Sequence, residues 1–319
     1  MNTREIKTSC LINNYNYAKF LVEAFDSALN QTVKFNEIII VDDASTDNSA
    51  EVIAKLAQEP YVKYILKEKN QGQLSSFNTA FLAATGDIIF FLDADDTYEP
   101  EYLETALNFY DRRRECDFAF CAYKKFGAAE GVFQDYAVDL DLGYSVIKTM
   151  CNGEWIGSIT STLSIRKEIL TKILPIPYTE DWRVRADDCL VWGASLVGAK
   201  KFYISRPLVN YRIHQSNQFH NKQASVLNKD YEYKRWWKRN SLFNYILQKN
   251  NLTLPYLLAF TSLNELKTIP CPTIKDFILY LKIIFLFERN FYWKVKGVFL
   301  LWSYLLKISL TGKLQKRSI

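Results

Sequence analysis

Short apolar runs alternate with amphipathic segments over the first 125 residues of the chain. The runs 38–41 and 88–92 contain only apolar side chains, which is typical of strands that are buried on both faces of a sheet. The pattern predicts strands over 9–13, 37–42, 61–66, 86–92 and 117–123, and helices over 17–30, 48–58, 74–84 and 99–113. This alternation predicts an α/β fold, with a mostly parallel sheet flanked by helices on both faces.

The second half of the chain follows a less regular pattern. Helices are predicted near 143–151 and 187–198, with a strand near 159–165. From about residue 223 the pattern is helical, and it is interrupted at Pro255, Pro270 and Pro272. We therefore expect an α/β domain over residues 1–222 and a helical C-terminal region over residues 223–319.

An acidic segment, Asp93-Ala94-Asp95-Asp96, directly follows the apolar run 88–92. Ligands of open α/β sheets bind just outside the carboxyl ends of the strands, which is where these carboxylates lie. Their mutual repulsion favours a divalent cation, and carboxylate oxygens suit Mg²⁺ or Mn²⁺, which are commonly shared with substrate phosphates. The segment predicts a metal and diphosphate site with Asp95 and Asp93 as ligands. The alternative is a solvated acidic turn that caps the next helix.

A second acidic pair, Asp42-Asp43, follows the strand predicted over 37–42. Because parallel strands place their carboxyl ends on one edge of the sheet, we expect both acidic sites to lie together. One carboxylate there would accept hydrogen bonds from a nucleobase or a ribose hydroxyl. Two such sites about 50 residues apart are hard to explain as helix caps alone.

The composition excludes several classes of site. The chain has only two histidines, His214 and His220, which excludes a His-rich metal site. Its six cysteines show no zinc-type spacing, and we expect reduced thiols in a cytoplasmic protein. No Gly-rich dinucleotide motif or P-loop is present. The polar start of the chain predicts no signal peptide.

The charge is distributed unevenly along the chain. Residues 231–319 contain 15 basic and four acidic residues, a net charge of +11, whereas the remainder carries −6. Basic residues there alternate with aromatic ones, which is typical of helices at a membrane surface. A helical bundle packed on the body, or a homo-oligomer interface, is the alternative. The uncharged stretch 297–306 is too short to span a bilayer, and no nucleic-acid motif accompanies the charge.

Several segments, in this order, resemble the family 2 glycosyltransferases, which are inverting nucleotide-sugar enzymes of the GT-A fold. The resemblance covers roughly residues 8–217. Residues 12–21 resemble the opening strand and turn, and residues 38–49 resemble the nucleotide-binding strand. The other matching segments are 70–72 and 85–87 around the third helix, 92–96 as the D-x-D motif, Asp187-Asp188 with Val191-Trp192 as the E-D-x-x-L-W segment, and 211–214 with Asn217.

The resemblance implies a role for each matching residue. Asp95 binds the metal with Asp93 in support, Asp43 accepts from a nucleobase N–H beside Tyr15, and Asp188 is the catalytic base. Asp187 is expected to raise the pKa of Asp188 by repulsion. Asn13, Asp42 and His214 are further candidates for nucleotide or diphosphate contacts, and Asp187 is one for the acceptor side; the alternative for His214 is a surface or core histidine. Outside the matching segments, Trp155, Ser158 and Trp182 are candidates for the acceptor side, with ordinary packing as the alternative. The third helix of the family often carries an Arg near the phosphates, but residues 75–78 contain none. That phosphate contact is therefore missing here, or another segment supplies it.

The activity that the resemblance implies is transfer of a sugar from a nucleotide donor, with a UDP-sugar favoured, to a hydroxyl of a glycan or lipid-linked acceptor. Such an enzyme would work in cell-surface polysaccharide assembly, in the cytoplasm or at the inner face of the membrane. One alternative is a non-catalytic sugar-nucleotide-binding or scaffold protein with the same fold. A sugar nucleotidyltransferase would need a Gly-rich basic loop after the first strand, and residues 13–20 contain neither Gly nor Arg.

Overall fold

The computed structural model describes residues 6–58, 60–214, 229–252 and 258–311. The strands are β1 (Thr8–Asn14), β2 (Glu37–Asp42), β3 (Val62–Leu66), β4 (Ile88–Asp93), β5 (Thr97–Tyr98), β6 (Phe118–Gly127), β7 (Gly131–Phe133), β8 (Leu140–Gly143), β9 (Leu163–Arg166) and β10 (Lys201–Ile213). The helices are α1 (Ala18–Leu29), α2 (Ser49–Leu56), α3 (Gln73–Ala83), α4 (Tyr102–Arg112), α5 (Val146–Asn152), α6 (Lys167–Ile173), α7 (Asp187–Leu196), α8 (Lys229–Lys249), α9 (Leu258–Lys267), α10 (Ile274–Phe287) and α11 (Phe291–Leu310).

One sheet organises the first part of the chain. Its strands follow the order β3-β2-β1-β4-β9-β6-β10-β5, with β7 beside β6 and β8 beside β10. Strands β1 to β4 are mutually parallel, as are β6 and β10, whereas β9 runs antiparallel between β4 and β6. The predicted α/β fold with a mostly parallel sheet is therefore confirmed.

The apolar strands are buried on both faces because their alternate side chains enter two different cores. On β4, Ile89 and Phe91 belong to a core that is covered by α3, α6, α7 and α8. Ile88, Phe90 and Leu92 belong to a second core, which is covered by α1, α2 and α4. A strand between two helical layers has no solvent-facing side, which explains its continuous apolar sequence.

The C-terminal helices pack on the α/β part in two places. Helix α8 contributes Leu242, Phe243 and Ile246 to the core that α7 also fills. Helices α9 to α11 form a separate core together with Ile147 of α5. The predicted helical character of this region is confirmed, and the predicted boundary at residues 222 and 223 lies outside the described residues.

Strand β10 and helix α6 are absent from the predicted pattern, as are the short strands β5, β7 and β8. Strand β10 has 13 residues and pairs with β5, β6 and β8, yet Pro207 interrupts it and the register shifts on both sides of that residue. Because proline removes a hydrogen bond between strands, the sequence of β10 does not indicate a central strand. Helix α6 has only seven residues and follows β9 without an intervening loop, so the sequence does not separate it from the strand.

Glu265 of α9 connects the C-terminal bundle to α5. Its buried carboxylate accepts the Ile147 and Lys148 backbone N–H groups at 2.7 and 3.1 Å, which satisfies donors at the start of α5. It also accepts the Tyr280 hydroxyl of α10 at 2.7 Å. One side chain thereby holds three helices together.

Replacement of this carboxylate should destabilise the protein. Glu265→Ala leaves buried N–H and hydroxyl donors without a partner, and we expect the free energy of unfolding to fall by about 2 kcal/mol or more. Tyr280→Phe should cost about 1 kcal/mol, because it removes one hydrogen bond of the same cluster. Denaturant unfolding measures both, with the exposed Glu180→Ala as control. A loss for Glu265→Ala no larger than that of the control would contradict this role.

Candidate functional site

Three strand ends meet at one edge of the sheet. Asn14 of β1 pairs with Asp42 of β2, and Asn13 pairs with Asp93 of β4, so the acidic ends of β2 and β4 flank β1 at one level. A cavity of about 690 Å³ opens beside them, within the range of roughly 300–1,000 Å³ of small-molecule sites. Its lining includes seven of the predicted site residues: Asn13, Tyr15, Asp43, Asp93, Asp95, Trp155 and Asp187.

Asp93 is the half-buried last residue of β4. Its Oδ1 accepts the Asn13 side-chain amide, and it also accepts the Gln73 amide at 3.1 Å. Burial and the neighbouring Asp95 carboxylate nevertheless raise the pKa of Asp93 above its ordinary value. The side chain is thus held in place by neutral donors, while its negative charge is not neutralised.

Asp95 and Asp96 have different surroundings. Asp95 lines the cavity, and His214 Nε2 lies 2.9 Å from its Oδ2. The His214 ring is packed against the aromatic rings of Tyr17 and Phe20. Asp96 is buried beneath, where it accepts the Ser161 hydroxyl and a backbone N–H of β10. The three carboxylates of this segment therefore divide into a structural one, Asp96, and two that face the cavity.

Asp43 lines the cavity but already has several partners. It forms an ion pair with the buried Lys67, and its oxygens accept the Gln71 and Gly72 backbone N–H groups at 3.1 and 2.6 Å. Gly72 adopts a φ of 86°, and a Cβ there would lie 2.3 Å from Arg183 Cα. The backbone at position 72 can approach Asp43 and Arg183 this closely only because the residue is glycine.

Asp42 occupies a different place from the one predicted. Its buried carboxylate accepts the Asn14 amide at 2.6 Å and the Ser45 N–H and hydroxyl at 2.9 and 2.6 Å. Among the described residues it is not part of the cavity lining. The prediction that Asp42 contacts the nucleotide is therefore not supported by its position, since these hydrogen bonds use it to hold the turn after β2.

The first turn of α7 carries the two acidic residues that are candidates for the base. Asp187 lines the cavity, and burial together with Asp188 raises its pKa to about 7. Asp188 is 1% exposed and lies behind it, with its Oδ1 3.1 Å from Arg185. Burial raises the pKa of Asp188 as well, against the opposite effects of Arg185, Arg235 and the Trp155 indole N–H. Asp188 thus raises the pKa of Asp187 on the cavity side, whereas burial is what raises the pKa of Asp188, and the predicted effect of Asp187 on Asp188 stays a prediction.

The candidates for the acceptor side also differ in position. Trp155 lines the cavity, and its buried indole N–H is directed towards the Asp188 carboxylate. Trp182 instead is buried in the core, where it packs edge-to-face against Trp192 of α7. Ser158 is buried, and within the described residues neither Ser158 nor Trp182 contributes to the lining. Both positions contradict a direct acceptor contact.

Two arginines on the cavity wall were not predicted. Arg183 and Arg185 precede α7, and Arg185 adopts a φ of 65°, which turns the chain just before the helix. They are the cationic side chains of the described lining, and each forms an ion pair, Arg183 with Glu180 and Arg185 with Asp188. Tyr17, Gln73, Thr160 and Tyr211 also reach this region. Tyr17 and Tyr211 belong to the matching segments 12–21 and 211–214 but were given no role, whereas no sequence signal marks Arg183 and Arg185, which lie in the turn before α7.

The residues of the β4 end fit a divalent cation. Among the described residues, no group of three or more His, Cys, Asp or Glu side chains surrounds one point. Asp93 and Asp95 still offer two carboxylates on one cavity. Mg²⁺ is usually held by one or two carboxylates, with substrate phosphates and water as its other ligands. This donor set therefore suits an ion that binds together with a phosphorylated substrate.

Comparison with known proteins identifies the family of this chain. Residues 9–174 match the family described as Glycosyl transferase family 2. An uncharacterised glycosyltransferase of Nostoc sp. is 36% identical over 229 residues, which are 69% of each chain. Glycosyltransferase GlyG of Streptococcus pneumoniae is 28% identical and covers 64% of this chain and 70% of its own length.

Solved structures agree on the fold. S. aureus TarS 1–349 in complex with UDP-GlcNAc superposes with a TM-score of 0.60 at 17% identity, covering 98% of this chain and 93% of that one. Its UDP complex gives a TM-score of 0.54 at 19% identity. At these identities the likeness concerns the fold alone. Together with the family match over more than half of the residues and the Nostoc relative, it leads to one conclusion: this chain belongs to the family 2 glycosyltransferases.

Proposed function

We propose that this glycosyltransferase moves a sugar from a UDP-sugar donor to an acceptor hydroxyl with inversion at the anomeric carbon. One observation carries the proposal. Asp93 and Asp95 at the end of β4 and Asp187 at the start of α7 line the same cavity. A charge-neutralising site for a leaving diphosphate and a proton acceptor are thereby placed within reach of one substrate.

The donor would bind along the strand ends. Tyr15 is an exposed aromatic side chain beside the cavity and can pack against a nucleobase, while Asp43 presents acceptor oxygens. Because Lys67 already neutralises Asp43, this carboxylate can accept a base N–H without adding a net charge near the phosphates. A UDP-sugar is favoured because S. aureus TarS, which shares the fold, was solved with UDP-GlcNAc and with UDP.

Asp95, with Asp93 in support, would hold a Mg²⁺ or Mn²⁺ ion. When bound, this ion would neutralise the charge that develops on the leaving diphosphate. The protein residues keep both carboxylates in position: Asn13 and Gln73 hold Asp93, and His214 lies against Asp95. Arg183 and Arg185 add fixed positive charge on the cavity wall.

The acceptor hydroxyl must lose a proton as it attacks, and the pair Asp187–Asp188 is the proposed base. The spacing to Val191 and Trp192 favours Asp188, whose carboxylate lies beside the Arg185 guanidinium and the Trp155 indole. The cavity lining favours Asp187, whose pKa of about 7 is suited to accepting a proton near neutral pH. A single displacement by a hydroxyl on the face opposite the leaving group inverts the anomeric centre.

The acceptor that we propose is a glycan or a lipid-linked sugar, as in cell-surface polysaccharide assembly. A lipid-linked acceptor would agree with the basic and aromatic C-terminal region, which would contact a membrane or form an oligomer. No helix in the described parts of the chain combines the length and apolar character needed to cross a bilayer. The rival function, a non-catalytic sugar-nucleotide-binding protein, is disfavoured because the carboxylates needed for transfer are retained.

Removal of the proposed metal ligand should abolish transfer. Asp95→Asn keeps the shape of the side chain but loses the charge, and we expect a rate loss of about 10²–10³-fold or more. Donor turnover with Mn²⁺ and Mg²⁺ measures the effect, and the exposed Asp111→Asn on α4 is the matched control. Unchanged turnover of Asp95→Asn in excess chelator would rule out a metal role for this residue.

Paired substitutions assign the base. The variant that removes the base should lose about 10²–10⁴-fold in transfer rate and retain donor affinity, because the donor contacts lie on other strands. Asp187→Asn and Asp188→Asn are compared by initial rates and by titration with UDP. Equal, small losses for both variants would reject the pair as the source of the base.

The raised pKa of Asp187 also has a consequence for stability. Its carboxyl titrates near 3.8 when unfolded and near 7 when folded, so the native chain loses stability as the pH rises from about 4 to about 7. Asp187→Asn does not titrate, and its stability relative to the native chain should grow by about 1–3 kcal/mol over that interval. Urea unfolding at several pH values without divalent cations measures this difference. A pH-independent difference would contradict the assigned surroundings.

A further inference from the structure

Helix α11 presents a continuous apolar stripe to the outside of the molecule. Successive residues of a helix turn by about 100°, so positions three and four apart lie on one face. Six residues at this spacing form what we call the outer stripe. Its members, with their exposed fractions, are Phe291 (79%), Val295 (53%), Phe299 (69%), Trp302 (52%), Leu306 (63%) and Leu310 (88%).

The opposite face of the same helix is already used for packing. Gly297, Leu301 and Ile308 are buried against the bundle formed with α9 and α10. Helix α11 is therefore apolar on two faces, and only one of them is covered within the described residues. A helix with apolar residues all round is normally buried, and a large exposed apolar patch marks an interaction surface.

The turn between α10 and α11 extends the outer stripe. Phe285, Leu286 and Phe287 end α10, and they are 54%, 66% and 46% exposed. Tyr292 on the first turn of α11 is 63% exposed. With Phe291, these residues place five large apolar or aromatic side chains at one corner of the bundle.

The charge around this surface has one sign. From Arg289 to the end of the chain the sequence contains seven Lys or Arg residues and no Asp or Glu. On α11 itself, Lys294 lies on one side of the outer stripe, and Lys296 and Lys307 lie on the other. Lysine stems that flank an apolar stripe can reach anionic groups at the level of lipid headgroups.

We infer that the outer stripe and its flanking lysines are a docking surface for an anionic lipid bilayer, with α11 lying in the membrane interface. A second copy of the chain fits less well, because a two-fold contact through this face would bring its unbalanced cations together. Anionic headgroups supply the missing negative charge, and the apolar side chains enter the acyl boundary. The inference is independent of the proposed sugar transfer, since it concerns a different part of the molecule.

Vesicle flotation of the full chain tests this surface. We expect binding to vesicles of phosphatidylcholine mixed with phosphatidylglycerol, little binding to phosphatidylcholine alone, and release by high salt. Phe299→Ser with Trp302→Ser should lower the partition coefficient by about tenfold or more. Lys296→Gln with Lys307→Gln should lower it about fivefold per residue at low salt. Leu82→Ser, a substitution of an equally exposed apolar residue on α3, should leave it unchanged.

Further measurements separate this inference from its rivals. Donor hydrolysis without vesicles should be the same for the native chain and for all these variants, so loss of flotation with retained hydrolysis supports the docking surface. Flotation that is absent at low salt, or equal for the native chain and Phe299→Ser with Trp302→Ser, overturns it. Light scattering that shows these two substitutions converting an oligomer to a monomer, with flotation unchanged, assigns the surface to a second copy.

Discussion

The repulsion between carboxylates at one edge of the sheet is the constraint on which the rest of the site depends. Asp93, Asp95 and Asp187 line one cavity, and burial leaves little water to screen them. The pKa of Asp93 and that of Asp187 are consequently raised. Such an arrangement costs stability in the free protein and is common where a substrate or metal supplies the compensating charge.

The surrounding structure holds these carboxylates in place without neutralising them. Asn13 and Gln73 orient Asp93 through neutral amides, while Arg212 donates to the Asp95 backbone carbonyl. The other acidic residues of the edge are treated differently. Asp43 is neutralised by Lys67, and Asp42 and Asp96 are used to hold turns. Asp93 and Asp95, by contrast, lie on the cavity, where a bound cation or a proton can compensate their charge.

The helical C-terminal region connects to this site through α5 and the segment that follows it. Glu265 holds the start of α5, and the chain leaves α5 through Gly153 to reach Trp155 at the cavity. Lys201, a fully buried lysine of β10, donates to the carbonyls of Ile156 and Val191, and so joins that segment to α7. These hydrogen bonds therefore connect the bundle that carries the outer stripe to the cavity wall that contains Trp155 and Asp187.

The sequence by itself determined the α/β alternation, the acidic ends of β2 and β4, and the family, because strand periodicity and strand-end chemistry are local properties. It did not reveal β10, since Pro207 conceals a strand whose partners on β5, β6 and β8 lie far away in the sequence. Only the tertiary structure decided that Asp187 faces the cavity, that Trp182 is buried in the core, and that Arg183 and Arg185 lie on the cavity wall. These positions depend on how α7 packs against α5, α6 and α8, and that packing is set by contacts between residues far apart in the chain.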